Sequence, residues 1–157
     1  MQEIITKRFK ESVESKQALL NNTELTILMS EMAQRMIAAL RNGNKIMFCG
    51  NGGSAVDAMH LAAELSGRYY FDRKPLNAEA LSADNAFLTA VANDYGYDVV
   101  YARLIDGIGN AGKCTAELDG GTRRAAGVEI NCARAGCGVV RFARGPPWRH
   151  TRHPTRC

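Results

Sequence analysis

The chain has 157 residues, 46% of them hydrophobic and 23% charged, a length and composition typical of one ordinary globular domain. No apolar run approaches the roughly 20 residues that a membrane-spanning helix needs. The first residues lack the charged segment, apolar stretch and cleavage site of a secretion signal. These features exclude membrane-spanning and disordered proteins, and we expect a cytoplasmic protein.

Charge and cysteine are distributed unevenly along the chain. Residues 1–113 carry 12 Lys and Arg against 13 Asp and Glu, whereas residues 114–157 carry eight Arg, no Lys and three acidic residues. The net charge of +4 therefore arises in the C-terminal segment. Four of the five cysteines are there too, and an odd count without a secretion signal argues against a disulfide framework.

The first two predicted elements are amphipathic helices. Apolar residues recur at helical spacing over residues 4–20, and Asn21-Asn22 breaks this pattern. A second series at intervals of three and four runs from Leu25 to Leu40 and ends before Gly43, a residue typical of helix C-termini. The short apolar run at 45–49, which lies before a glycine turn, predicts a buried strand.

Strands and helices alternate after this turn. The pattern predicts helices over 54–67, 83–93 and 98–105 and a short strand over 77–82. Such alternation indicates an α/β fold with a parallel sheet.

Beyond about Gly109 neither period persists, and only residues 138–142 suggest a short strand. We therefore predict a domain over residues 1–112 and an atypical tail, rich in Arg, Cys and Gly, over residues 113–157. A G+C-rich gene read out of frame gives this tail composition as well. Sequencing the encoding DNA through the junction distinguishes that origin from a native tail.

The glycine turn Cys49-Gly50-Asn51-Gly52-Gly53-Ser54 lies between a predicted strand and a predicted helix. Glycines allow the backbone to approach a ligand closely, and a helix N-terminus offers unpaired N–H groups to an anion. A phosphate or a sugar phosphate is the ligand that suits this arrangement. Ser54 either caps the helix or binds phosphate through its hydroxyl. The alternative is a plain turn, because the spacing is neither the Rossmann nor the P-loop motif.

Asp57, His60 and Glu64 follow at intervals of three and four residues and therefore share one helix face. A His-x-x-x-Glu pair can supply two ligands to a divalent metal or place a general base beside an imidazole. The alternative is a solvated helix face with a salt bridge. Arg68, just beyond this helix, either neutralises an anion or ends the helix favourably.

The segment Asn93-Asp94-Tyr95-Gly96 ends another predicted helix. It is interpreted either as a helix cap and turn or as a pair of polar groups that hold sugar hydroxyls.

The stretches 49–69 and 88–96 closely resemble sedoheptulose-7-phosphate isomerases, also called phosphoheptose isomerases, of the sugar-isomerase (SIS) family. The glycine turn, the His-x-x-x-Glu helix and the Asn-Asp loop occur in that family's order and spacing, and the resemblance covers about residues 1–112. It implies an incomplete SIS domain with a three-layer αβα fold, a parallel sheet and N-terminal helices. It further implies a homotetramer with active sites between subunits.

The resemblance also implies an activity. Family members convert sedoheptulose 7-phosphate to D-glycero-D-manno-heptose 7-phosphate for bacterial heptose and lipopolysaccharide synthesis, commonly with zinc. The expected chemistry is proton transfer between C1 and C2 through an enediol. His60 and Glu64 would be zinc ligands, and Glu64 would also be the catalytic base. The residues that the resemblance places against the substrate are Asn51, Gly52, Gly53, Ser54, Glu64, Arg68, Asn93 and Asp94.

The C-terminal segment departs from the family pattern. The family's phosphate-gripping Ser-Thr-Ser-Gly-x-Ser loop is absent, and so is the late helix whose Gln and His complete the metal site. His150 and His153 lack that context and receive no role. Two of four expected zinc ligands are therefore found, and we expect weak zinc binding and impaired activity. Without the family's later elements, apolar surface is also expected to favour oligomerisation.

Two alternatives belong to other functional classes. One is a non-catalytic SIS-fold protein that binds a sugar phosphate or acts as a regulator. The other uses Cys132, Cys137, His150 and His153, whose C-x4-C-x12-H-x2-H spacing approaches that of a zinc finger in an Arg-rich tail. The last gap is one residue short and no ββα pattern accompanies it, so we expect no nucleic-acid partner.

Overall fold

The computed structural model describes residues 1–109, 114–119 and 138–143, and the two short segments are described by their backbone alone. It divides into two compact units, residues 1–38 and residues 39–157. None of the helices in the described residues is both long enough and apolar enough to span a membrane. The predicted zinc-finger-like residues and most of the tail lie outside the described residues.

Two helices occupy the N-terminal region, as the spacing predicts. Helix α1 spans Gln2–Leu20 and α2 spans Thr23–Arg41, which continues into the second unit. The predicted break is confirmed, since Asn21 is the C-cap of α1 and the Asn22 Oδ1 accepts a hydrogen bond from the Leu25 N–H at 3.0 Å. No residue of α1 is buried, so its apolar side chains stay exposed in the single chain.

The second unit contains a four-stranded parallel sheet with the order β2-β1-β3-β4. The strands are β1 (Ile46–Gly50), β2 (Ala78–Ala80), β3 (Cys114–Asp119) and β4 (Gly138–Ala143). Ile46 in β1 pairs with Ala78 on one side and with Cys114 on the other. The α/β fold with a parallel sheet is therefore confirmed.

Helices follow the strands in the predicted alternation. They are α3 (Gly53–Ser66), α4 (Asn85–Tyr95) and α5 (Val100–Ile108), and a single 3-10 turn at Tyr97–Val99 precedes α5. Helix α4 begins two residues later than predicted because the Asp84 carboxylate caps it by accepting from the Phe87 N–H at 3.0 Å.

The core lies on both faces of β1, all five residues of which are buried. Met47 and Cys49 pack with residues of α4 and α5, including Val91 and Ile105. Side chains alternate along a strand, so Ile46 and Phe48 belong to the other face, and α3 packs against β1 and β2 with Ala58 and Ala62 buried. The sheet is thus covered by helices in the three-layer αβα arrangement.

The sequence pattern missed one strand and anticipated another. Strand β4 confirms the short strand predicted at residues 138–142. Strand β3 was not predicted, and the expectation that no regular pattern persists after Gly109 was wrong there. Its sequence Cys-Thr-Ala-Glu-Leu-Asp contains residue types that are depleted in strands, and the pairing with β1 outweighs that weak local preference.

Candidate functional site

The glycine turn connects the carboxyl end of β1 to the N-terminus of α3. Gly52 is the N-cap of α3, with φ 57° and ψ −122°. This cap has no side-chain hydrogen bond, so the alternative in which Ser54 caps the helix is wrong. Ser54 instead lies within the first turn and is buried, and its N–H donates to the Asn51 carbonyl at 3.1 Å.

The backbone conformation of Gly52 supports a stability prediction. Its dihedral angles lie outside the regions open to residues with a side chain, although a Cβ there would meet no atom within 4 Å. We expect Gly52→Ala to lower the free energy of unfolding by about 1–3 kcal/mol through backbone strain alone. Gly107→Ala in α5, where a Cβ also meets nothing within 4 Å, is the matched control and should stabilise by up to about 1 kcal/mol. Urea unfolding measures both, and a neutral Gly52→Ala would contradict the strained conformation.

Two tyrosines that lie far from the glycine turn in the sequence form hydrogen bonds with it. The Tyr97 hydroxyl donates to the Asn51 Oδ1 at 2.7 Å, and the Tyr101 hydroxyl donates to the Gly50 carbonyl at 2.6 Å. Their rings meet edge to face with centroids 6.4 Å apart. Burial is the main cause that raises the pKa of Tyr101 above its usual range, so this phenol stays a neutral donor. No local sequence pattern identifies either tyrosine as part of the site.

His60 and Glu64 meet on the face of α3, as their spacing predicts. The His60 Nε2 lies 3.2 Å from the Glu64 Oε1, and it donates when the carboxyl is ionised because a carboxylate only accepts. The His60 side chain is 74% exposed and that of Glu64 is 32% exposed. The pair is therefore a preformed and solvent-accessible base with an imidazole beside it.

The same pair fits two positions of a zinc site. Zinc binds imidazole and carboxylate at about 2.0–2.2 Å in a tetrahedral arrangement, so neighbouring ligand atoms lie about 3.3 Å apart. The observed separation of 3.2 Å between Nε2 and Oε1 matches that edge. Within the described residues, no group of three or more His, Cys, Asp or Glu side chains is placed to hold a metal. Any further zinc ligands would come from outside the described residues or from another chain.

Arg73, and not Arg68, contacts the end of α3. The Arg73 guanidinium donates to the carbonyl oxygens of Glu64 at 2.7 Å and of Leu65 at 2.8 Å. It also donates to the Lys74 carbonyl at 3.1 Å. Arg68 is exposed, and the helix-ending role considered for it belongs to Arg73. These hydrogen bonds fix the backbone at Glu64, from which the proposed base extends.

This contact predicts unequal effects for the two arginines. Arg73→Ala should lower the free energy of unfolding by about 1.5–3 kcal/mol, since hydrogen bonds from a charged donor are lost at a helix end. Arg68→Ala, the matched control on the same loop, should change it by no more than about 0.5 kcal/mol. Thermal and urea unfolding compare the two variants, and equal losses would contradict the assignment.

Asn93 and Asp94 lie in the last turn of α4, where both interpretations retain support. Gly96 is the C-cap with φ 91°, and its N–H donates to the Ala92 carbonyl at 3.1 Å, as the cap interpretation requires. The Asn93 Nδ2 donates to the Asp94 Oδ1 at 3.0 Å, and both side chains are exposed. They therefore remain accessible to a ligand.

The structure brings the predicted residues into two groups. Asn51 is joined through Tyr97 to the chain that follows Asn93 and Asp94. His60 and Glu64 form the second group, and Glu64 lies eleven residues beyond Gly53 on the same helix, about 16 Å along its axis.

Several known proteins with similar sequences are named phosphoheptose isomerase. The family model described as "SIS domain" matches residues 9–108. Phosphoheptose isomerase from Mycobacterium tuberculosis (strain ATCC 25177 / H37Ra) is 49% identical over 104 residues, which cover 66% of this chain and 53% of the relative. That of Sulfurimonas denitrificans is 45% identical over 112 residues, which cover 71% of this chain and 57% of the relative. The chain thus spans little more than half the length of these relatives.

Solved structures give the same result. Phosphoheptose isomerase GmhA from Neisseria gonorrhoeae superposes with a TM-score of 0.77 at 33% identity, covering 92% of this chain and 76% of that one. A phosphoheptose isomerase from Francisella tularensis gives a TM-score of 0.86 at 27% identity, covering 94% and 78%. The chain therefore belongs to the SIS-domain family, and within it to the phosphoheptose isomerases.

Proposed function

We propose that the chain is an aldose-ketose isomerase that converts sedoheptulose 7-phosphate to D-glycero-D-manno-heptose 7-phosphate. One observation carries the proposal. The family match covers residues 9–108, and Glu64 lies within it. Its carboxylate is accessible and accepts a hydrogen bond from His60, so it can act as the base that such a reaction needs. We infer the substrate from the relatives, which are named phosphoheptose isomerase. We propose that the reaction takes place in the cytoplasm and contributes to the synthesis of heptose for lipopolysaccharide.

The proposed chemistry is a proton transfer between neighbouring carbons. The Glu64 carboxylate removes a proton from C1 of the ketose, and the electron pair of that C–H bond forms the C1–C2 double bond while the C2=O π pair moves to O2, which takes a proton to give the enediol. A proton that has exchanged with water at the accessible Glu64 carboxyl is then returned to C2, while O1 loses its proton and the C1=O bond of the aldose forms. No atom is gained or lost. In the metal-free chain, the hydrogen bond from the His60 Nε2 orients this carboxylate.

Substrate binding is proposed for the two accessible polar groups. Asn51, Gly52, Gly53 and Ser54 contact the substrate from the turn at the start of α3, where N–H groups and the helix dipole favour an anion. Asn93 and Asp94 bind sugar hydroxyls with their exposed side chains. Arg68, exposed beyond α3, contributes positive charge near the substrate.

We also propose a zinc ion and a homotetramer. His60 and Glu64 would supply two zinc ligands, with the unprotonated His60 Nε2 binding the metal instead of donating to Glu64, and the bound ion would polarise the substrate carbonyl. The exposed apolar side chains of α1, among them Ile5, Phe9 and Val13, support burial of that helix in an assembly. Active sites between subunits would let a neighbouring copy supply missing groups.

The test combines turnover and binding. The purified chain is incubated with sedoheptulose 7-phosphate with and without added zinc, and the heptose product is measured by NMR. Calorimetry measures sugar-phosphate affinity in the same preparation. We expect both binding and conversion. Binding without conversion would instead identify a non-catalytic sugar-phosphate-binding protein, and a folded chain that does neither would refute the proposal.

A further inference from the structure

The hydrogen bond between Tyr97 and Asn51 links two segments that are 46 positions apart in the sequence. Tyr97 begins the 3-10 turn after Gly96, whereas Asn51 lies in the turn between β1 and α3. Donor and acceptor oxygens are 2.7 Å apart, a good distance for an O–H···O bond. This contact fixes a side chain in the turn where we propose that substrate binds.

The contact also decides which end of the Asn51 amide is presented to a ligand. Because the phenol of Tyr97 donates to Oδ1, the carbonyl end of the amide faces the tyrosine. The Nδ2 group, which carries two donor hydrogens, has no acceptor among the residues that the structure describes. Asn51 is half-buried, so part of this residue is accessible to a ligand. The turn therefore offers a donor at this position, and an oxygen acceptor is its matching ligand.

Tyr97 is itself held in place. Its ring lies edge to face on Tyr101, with centroids 6.4 Å apart and an angle of 79° between the planes. Tyr101 is 7% exposed, and its hydroxyl donates to the Gly50 carbonyl at 2.6 Å. Two tyrosines thus contact two consecutive residues of the turn, Gly50 through its backbone and Asn51 through its side chain.

We infer that Tyr97 is a positioning residue, which orients the Asn51 amide so that its Nδ2 donates to an oxygen of the bound sugar phosphate. The orienting contact is present without ligand, and its effect on binding rests on the proposed function. Tyr97 need not touch the substrate. Its removal should weaken substrate binding through Asn51 and leave proton transfer at Glu64 unchanged.

Tyr97→Phe tests the inference because it keeps the ring on Tyr101 and removes only the hydroxyl. Tyr95→Phe is the matched control: Tyr95 is on the same segment, and its hydroxyl accepts only a 3.5 Å contact from Arg103. We expect Tyr97→Phe to raise KM and the dissociation constant for sedoheptulose 7-phosphate by about 2- to 10-fold, the loss of one hydrogen bond, with kcat unchanged. Tyr95→Phe should change neither.

Asn51→Ala shows whether Tyr97 acts through Asn51. In that background the further change Tyr97→Phe should have no effect on affinity, because the amide that it orients is absent. Additive losses would overturn the inference and give Tyr97 a separate role. Unchanged affinity in the single variant Tyr97→Phe would overturn it as well.

A ligand-free measurement separates this inference from the proposed function. Nitrogen-15 relaxation of the Asn51 side-chain amide should show an ordered group in the wild-type chain, and its order parameter should fall below about 0.6 in Tyr97→Phe. An unchanged order parameter would overturn the orienting role whether or not a sugar phosphate binds. A fall in a chain that binds no sugar phosphate would support the orientation and refute the proposed function instead.

Discussion

Glu64→Gln is expected to lower kcat for sedoheptulose 7-phosphate isomerisation by about 10²- to 10⁴-fold, the usual contribution of a general base. The amide has almost the shape of the carboxylate and can still accept the hydrogen bond from His60 through its oxygen. It cannot take a proton from C1 of the substrate. The loss should therefore appear in kcat, while calorimetry shows that the sugar phosphate still binds.

Glu31→Gln provides the control for this change. Glu31 is an exposed residue of α2, so the same substitution there removes a charge without touching the proposed site. Wild-type kcat in Glu31→Gln together with the loss in Glu64→Gln assigns the effect to Glu64 and not to the general loss of a charge. Full activity in Glu64→Gln would contradict the mechanism.

Phe48→Ala is expected to lower the free energy of unfolding by about 3–5 kcal/mol, the typical cost of removing a buried aromatic ring. Phe48 is 2% exposed and lies in β1, between β2 and β3. The strand leads directly into the glycine turn, so the cavity would weaken the support of that turn. Since a domain of this size has a total stability of about 5–15 kcal/mol, much of it would be lost.

Phe71→Ala is the matched substitution at the surface. Phe71 is 67% exposed, and we expect a change of no more than about 0.5 kcal/mol. Urea unfolding of both variants at one fixed protein concentration makes the comparison valid for an oligomer as well. Equal destabilisation by the two substitutions would contradict the described core.

Local pattern was sufficient for most of the fold because several elements carry strong signals. The apolar run before the glycines identified β1, and three- and four-residue spacing identified α1 and α2. Strand β3 lacks such a signal, since its formation depends on pairing with β1, a contact between distant parts of the sequence. Boundaries shifted where a side chain intervened, as Asp84 does at the start of α4.

In the candidate site as well, contacts between residues close in the sequence could be predicted and contacts between distant residues could not. His60 and Glu64 are four residues apart on one helix, so spacing alone predicted their contact. The contact of Tyr97 with Asn51 joins distant parts of the sequence, because it depends on where the turn before α5 lies relative to the end of β1. No local sequence pattern predicts it. Arg68 and Arg73 show the same limit: the sequence offers two basic residues after α3, and the path of the loop decides which one reaches the helix end.

We propose that this chain moves a proton between C1 and C2 of a sugar phosphate. The most direct test is incubation of sedoheptulose 7-phosphate with the folded chain in deuterium oxide, followed by proton NMR. An enediol route predicts deuterium at C1 of the ketose and at C2 of the heptose product, and Glu64→Gln should suppress both signals. Neither conversion nor deuterium incorporation by a folded chain that binds the sugar phosphate, or full incorporation by Glu64→Gln, would contradict this proposal.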